Sequence, residues 1–463
     1  MDEVLFYISQ GDKNEESYGY ITSIHSSKQY ASLRQASTLK HSTKLTGFGP
    51  GERIITSCIQ KSLIHVYSYG KESIDQKIPI PESLTSLCIV SQKSSKEMLK
   101  LPNFRLPWLL IGGSKSGKLY IWELASGNLL NVKDAHYQGI NVIKVSCCGN
   151  FLITGGEDAR VIVWNLFDSI NCFDQAQIKP YWSITDNTLP ITDLILNDTG
   201  IISDLKLYTV SKDNTLRIYD IITKSLLTTF ILPDSIESVC KDPANRVLYV
   251  GLSSGLIRPV PLYHINPYNS TLESIGGNNK IITLENDPDL KNPFVHHQGN
   301  SVTYLILSLD GTCLLSGDSK GQVYASDVIT KQVIKQFQPC NGPISYMETA
   351  TIPTDIKSIP LNKKHRMIPQ LKRVLIGTDP IEHNITLDIP EKLTNDDEDF
   401  CFWLNEKKLE ELEFKNSFGD VNSTVKSSDS DAKLQKVSNA YNDLRSKYEE
   451  LIKEHSKLLD KLE

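Results

Sequence analysis

Among the nine cysteines there is no CxxC pair and no paired Cys/His spacing, and Cys147 and Cys148 are adjacent, too close for an ordinary disulfide within one strand. That argues against a structural zinc and a disulfide framework, and for a reduced, intracellular setting. The first residues, Met1-Asp2-Glu3, lack the basic start and apolar run of a secretory leader. No stretch approaches the ~20 uninterrupted apolar residues that cross a membrane. No GxxxxGK[ST] loop occurs, and Gly112-Gly113 and Gly155-Gly156 do not continue into helices, so a phosphate cradle is not expected. An excess of one charge is missing too. Lys and Arg number 49 against 55 Asp and Glu, a net charge of −6, which argues against coating nucleic acid by bulk charge. The balance is uneven along the chain: residues 379–463 carry −9 and leave +3 on 1–378.

What the 463 residues do contain is repetition. Gly117-Lys-Leu-Tyr-Ile-Trp122, Ala159-Arg-Val-Ile-Val-Trp164 and Asn214-Thr-Leu-Arg-Ile-Tyr219 are alternating runs that end in an aromatic residue. Each follows a polar turn and an apolar strand: Leu109–Gly113, Phe151–Gly155 and Leu207–Ser211. Four short strands per unit with period-two alternation describe one blade of a β-propeller. Aligning on the aromatic gives Ile24, Tyr67, Trp122, Trp164, Tyr219, Val260 and Ser326, at intervals of 43, 55, 42, 55, 41 and 66 residues. Several intervals fall near the ~40–45 residues of a WD-type repeat, and the longer ones hold insertions at 91–107, 167–179, 198–204 and 263–300. Long loops on a rigid ring either carry partner contacts or are filler.

Seven such positions predict seven blades. The first unit starts at its second strand, Val4–Ile8, and Pro343–Met347 arrives after the seventh with nothing left to pair with, so it is expected to close the ring and remove two sheet edges. Val260 and Ser326 replace the aromatic, which predicts less regular sixth and seventh blades. Leu371–Ile376 has strand character but no place in this scheme.

Beyond the ring, over 379–431, lies an acidic flexible linker with Asp396-Asp397-Glu398-Asp399 and a Ser-rich stretch in which Ser428 and Ser430 stand beside aspartates as phosphorylation candidates. Within it, 398–418 contains Phe400-Cys-Phe-Trp-Leu404, Leu409, Leu412 and Phe414, either a docking segment that folds on a partner or a patch that packs back on the ring. Over 432–463 the stripe Leu434, Val437, Tyr441, Leu444, Tyr448, Leu451, His455, Leu458 and Leu462 alternates threes and fours, the coiled-coil period. Ile452 and Leu459 widen it. A lone helix can hide such a stripe only against another helix, and each buried side chain stabilises association by ~1.5–3 kcal/mol before entropic costs. Protonated His455 would place charge in that seam and weaken it below about pH 6. The expected architecture is therefore all-β, a seven-bladed WD-repeat propeller over 1–378, followed by the linker and a C-terminal α-helical coiled coil.

His136, Thr154, Asp158 and Trp164 offer the residue types of a hydroxyl–His–Asp catalytic set. Their places are a loop, a second strand, a turn and a third strand, which in WD-repeat families hold a hydrogen-bonded tetrad inside one blade. The structural role is the expectation, and Asp213 with Tyr219 repeats part of it. Lys363, Lys364 and Arg366 with Lys372 and Arg373 form a basic strip that could contact RNA or a partner, address the chain to the nucleus, or simply be solvated. No metal site, cofactor or catalytic residue is expected.

The stretch Leu101-Pro-Asn-Phe-Arg-Leu-Pro-Trp-Leu-Leu-Ile-Gly112, with Ser116–Leu124 and Ala135-His-Tyr-Gln138, resembles the fungal Ipi-three family, the WD-repeat subunit of the Rix-one complex. Asp213-Asn-Thr-Leu-Arg217, Ser308-Leu-Asp-Gly311 and Ile368-Pro-Gln-Leu-Lys-Arg-Val374 add to the likeness, which covers essentially the whole chain. The resemblance implies a nuclear, non-enzymatic scaffold for large-ribosomal-subunit assembly and removal of an internal transcribed spacer from pre-rRNA. It implies Rix-one and Ipi-one type subunits, the midasin AAA ATPase and the pre-ribosome as partners, a homodimer through the C-terminal helix, and a further link to replication licensing. A ubiquitin-ligase substrate receptor is the alternative, although Trp122-Glu-Leu-Ala125, Trp164-Asn-Leu-Phe167 and Tyr219-Asp-Ile-Ile222 all lack the Arg such receptors often carry. The Phe/Leu-Arg-Arg-Gly motif of phosphoinositide-binding propellers is absent as well.

Overall fold

In the computed structural model, the described residues are 2–10, 18–26, 28–36, 38–48, 52–58, 61–90, 109–170, 179–197, 204–284, 293–352, 367–375, 403–412 and 428–459. They divide into two compact units, Met1–Thr386 and Leu387–Glu463. The first is a seven-bladed β-propeller.

Each blade is an antiparallel meander. Blade two runs Thr38–Leu45, Arg53–Cys58, Leu63–Ser68 and Gln76–Pro79; blade three runs Leu84–Val90, Leu109–Ser114, Lys118–Glu123 and Leu129–Asp134. Blade four is Ile140–Val145, Phe151–Gly156, Val161–Asn165 and Trp182–Ile184, and blade seven is Val302–Leu307, Cys313–Asp318, Val323–Asp327 and Val333–Gln336. Inner strands are buried on both faces, between neighbouring blades, so their sequences are apolar runs broken by small residues rather than strict alternations. Gly113 illustrates the need for smallness: a Cβ there would lie 2.7 Å from Cβ of Ile140 in the next blade.

Closure occurs as the sequence predicts. Ile344–Ile352 pairs antiparallel with Asp2–Ser9 and becomes the innermost strand of blade one, with Tyr18–Ser23 and Gln29–Arg34 outside. Ile344 and Met347 are buried with Leu5 and Tyr7 against Leu315 and Val323 of blade seven, each apolar side chain contributing on the order of 1.5–3 kcal/mol. Polar side chains near the start of the inner strands, and Ser57 near the end of the second strand of blade two, tie blade to blade. Ser57 donates to Leu84 O (2.9 Å), Ser86 to Ile140 O (3.0 Å), Asn141 to Ile191 O (2.9 Å), Thr192 to Ile236 O (2.8 Å) and Ser238 to Val302 O (2.9 Å).

Several expectations need correction. The register of closure aligns Leu5 with Leu110; Leu5 pairs with Thr22 and Leu110 with Trp122, so the aromatic position of blade one is Thr22, not Ile24. Blade seven is a complete four-stranded sheet despite Ser326. Blade six, Ile236–Lys241, Val247–Leu252 and Ile257–Pro261, has three strands, with a single bridge from Ile257 to Phe294 on its outer side. The 263–300 insertion, expected to be a long loop, holds strands: Tyr263–Ile265 and Leu272–Ser274 form a hairpin, and Lys280–Thr283 adds a parallel fifth strand to blade five, beside Ser225–Ile231. Of the stretch Leu371–Ile376, residues 371–375 are not a strand, and Ile376 lies outside the described residues. Residues 367–375 instead form an irregular strap whose Ile368 and Leu371 are buried with Ile78, Trp122 and Leu129 of blades two and three. The insertions 91–107 and 198–204 and most of 167–179 fall mainly outside the described residues, though Leu166–Ile170 is a short helix.

Candidate interaction surfaces

The four residues singled out in blade four meet. His136 Nδ1 lies 2.9 Å from Asp158 Oδ1 and its Nε2 2.8 Å from Thr154 Oγ1, while the Trp164 indole donates to Thr154 Oγ1 at 3.3 Å. An Nδ1–H tautomer satisfies all three contacts, with Thr154 donating to Nε2. Asp158 also accepts from the amides of Tyr137 and Arg160, both at 3.2 Å. Burial pushes its carboxyl up, but the hydrogen bond from His136, together with those amides, outweighs it and holds the group below its ordinary 3.8. Thr154 is fully buried and Trp164 nearly so, which leaves no surface on which the hydroxyl could meet a substrate. The arrangement fastens a loop, a turn and two strands of one blade to each other.

A second set escaped the sequence reading. In blade seven, His297 Nε2 lies 2.7 Å from Ser316 Oγ and its Nδ1 3.2 Å from Asp318 Oδ2, with the ring 5.0 Å from that of Tyr324. Asp318 sits at the end of its strand, in the place of Gly156, two residues before the turn position that Asp158 holds. His297 follows the long insertion, so neither spacing matched. The recoverable signal was Ser316-Gly-Asp beside Thr154-Gly-Gly. Blade five builds a third version: Arg217 donates to Asn187 and, at 3.1 Å, to Asp213, and the Tyr219 hydroxyl goes to Asp186 rather than Asp213.

Blade three departs furthest. Gly112 stands where blade four has Thr154, and the Trp122 indole donates instead to Lys372 O of the strap at 3.0 Å. Lys372 N in turn donates to Gly127 O (2.8 Å), and Gln76 exchanges two bonds with the backbone of Ile368, at 3.0 and 3.2 Å. Of the basic strip, Lys372 and Arg373 are exposed at this strap; Lys363, Lys364 and Arg366 lie outside the described residues.

In the second unit, the helix Ser428–Leu459 carries Tyr441, Leu444, Tyr448 and Leu451 at 59–70% exposure along one stripe. Leu434, Val437, His455 and Leu458 lie on the same helix, with side chains outside the described residues, as is Leu462. Of the 398–418 segment, residues 403–412 form a helix that exposes Trp403, Leu409 and Leu412, while Phe400 and Phe414 are not described. Among the described residues no group of His, Cys, Asp and Glu is placed to hold a metal, and no helix is long and apolar enough to cross a membrane.

Blades of this form, with a loop histidine, a strand hydroxyl and a turn aspartate, define a WD-repeat propeller, and residues 127–165 match the family model "WD domain, G-beta repeat". The chain is 58% identical to the pre-rRNA-processing protein IPI3 of Candida albicans across 100% of both chains. It is 52% identical to the protein of that name from Scheffersomyces stipitis over 99% of each, and 32% identical to the one from Saccharomyces cerevisiae over 96% of this chain and 98% of that one. The chain belongs to the IPI3 family.

Proposed function

We propose that this chain is a non-enzymatic scaffold in pre-rRNA processing. The observation that carries this reading is its end-to-end identity with relatives named for that process. The His136–Asp158 and His297–Asp318 pairs are supported better as blade fasteners, because His136, His297 and their hydroxyl partners are buried. A scaffold works by presenting surfaces, and those among the described residues include the basic strap at Lys372 and Arg373, the exposed outer strands, and the helix stripe.

The finer reading is a nuclear subunit that works beside Rix-one and Ipi-one type subunits, midasin and the pre-large-subunit ribosome, in removal of an internal transcribed spacer. The helix pairs two copies through Tyr441, Leu444, Tyr448 and Leu451, whose exposure supports the heptad argument. The replication link has no support beyond the resemblance. Depleting the protein is expected to accumulate pre-rRNA that retains the spacer, and restoring it with a chain lacking 432–463 isolates the helix's part. Light scattering on that truncation is expected to give half the mass. Normal spacer removal after depletion overturns the scaffold role, and an unchanged mass moves self-association onto the ring or linker.

A further inference from the structure

The central channel of the propeller is closed partway. The inner strand of blade two pairs through Thr38↔Cys58 and next through Thr43↔Thr56, so residues 39–42 bulge as a group. His41 adopts φ 59°, the left-handed region that a non-glycine residue enters at a cost on the order of 1 kcal/mol. The Ser42 hydroxyl clips the bulge to Leu39 O at 2.7 Å. From it Lys40 reaches to the backbone carbonyl of Glu237 in blade six. The buried His41 ring comes within 3.5 Å of Asp193 in blade five and 5.8 Å of the Tyr304 ring in blade seven. Two recesses of about 420 and 410 Å³ result, with no lining residue in common. Backbone strain at a non-glycine position that spans a channel marks a floor the rest of the ring holds in place.

The first recess has an unusual set of charges. Lys40, Lys115 and Lys212 line it, and among the described residues none has a carboxylate within ion-pair distance. Burial pushes the Lys40 ammonium down; the nearby Asp193 and Glu237 charges pull it back up, and Lys212 adds a smaller push downward. Glu157 and Glu237 line the same mouth; among the described residues neither forms an ion pair, although the Glu237 charge acts on Lys40. The volume lies within the ~300–1,000 Å³ of pockets that bind ligands specifically.

We propose that this channel mouth binds an acidic peptide segment of a partner protein, its carboxylates entering between Lys40, Lys115 and Lys212. The two glutamates favour peptide over nucleic acid. Both an acidic peptide and a polyphosphate meet them as like charges, but only the peptide also brings backbone N–H groups that they accept. The test uses the full chain and a fluorescein-labelled peptide of alternating Glu and Gly, read by anisotropy against labelled oligouridylate. Saturable peptide binding is expected, weakened at least about tenfold in K115Q/K212Q, whose two lysines are exposed turn residues and leave the fold intact by circular dichroism. The double variant E157Q/E237Q is expected to narrow the preference for peptide. No saturable peptide binding overturns the proposal, as does unchanged affinity in K115Q/K212Q. Tighter binding of oligouridylate, lost with the same lysines, reassigns the mouth to nucleic acid.

Discussion

Blades three and four carry the same Trp on the same strand and hold it by different means. Trp164 gives its indole N–H to Thr154, ten residues away inside its own sheet; Trp122 gives its own to Lys372, 250 residues away. The cause is one position. Where blade four has a hydroxyl, blade three has Gly112, and a Cβ there would lie 2.6 Å from Leu84 and 3.2 Å from Trp122. A buried indole N–H needs an acceptor, so the chain returns with a backbone carbonyl. One blade is fastened locally, the other by the far end of the propeller unit.

The largest effect expected from breaking this comparison is in blade four. His136→Ala leaves Asp158 and Thr154 buried without their partner and is expected to cost about 3 kcal/mol in urea unfolding. Gly156→Ala should do comparable harm by another route, because its Cβ would lie 2.4 Å from Asp158 Oδ1 and 2.5 Å from His136 Nδ1. An unfolding midpoint shifted no more than that of a surface variant would show that the tetrad adds nothing.

Acid should separate the two blades next. The Asp158 carboxyl sits below 3.8 in the folded chain, so the unfolded chain binds more protons as pH falls. The stability it contributes is present above that ordinary value and is lost as pH falls through the depressed one. Asp318 follows the same sign: burial pushes it up, but the bond to His297 and the Gln322 amide prevail. Asp158→Asn is therefore expected to flatten the acid limb of stability, whereas Trp122→Phe, whose partner is a carbonyl, leaves that limb's slope unchanged.

The smallest expected effect sharpens the comparison most. Trp122→Phe should cost about 1 kcal/mol, and deleting 367–375 more, since Ile368 and Leu371 go with it. In a double-mutant cycle the two should couple, the indole's share vanishing once the strap is gone, while Trp164→Phe combined with the same deletion should be additive. Additivity in both cycles would mean that the strap does not bind through Trp122.

Much of the fold was legible because it is written locally. Period-two alternation, polar turns and a recurring aromatic are visible within one repeat, and seven of them with a strand left over at the end require closure. The blade-four set was legible for the same reason, since His136, Thr154, Asp158 and Trp164 fall within 29 residues. His297, Ser316 and Asp318 were not, because the Asp moved two places and an insertion hid the histidine. Thr22 was misplaced as Ile24 because blade one borrows its inner strand, and only the pairing register locates the equivalent residue.

By itself the amino-acid order determined that there would be a ring of sheets, how many, how it would be sealed, and that a helix with one apolar stripe would follow. Tertiary structure alone decided that 367–375 is a strap over Trp122 rather than a strand, that 280–283 joins blade five, and that residues 39–42 cross the channel. The physical reason is reach. Strand and helix periods arise from neighbours a few residues apart, whereas these three features depend on which distant groups, a buried indole, an open sheet edge and a facing blade, the closed ring leaves to be satisfied.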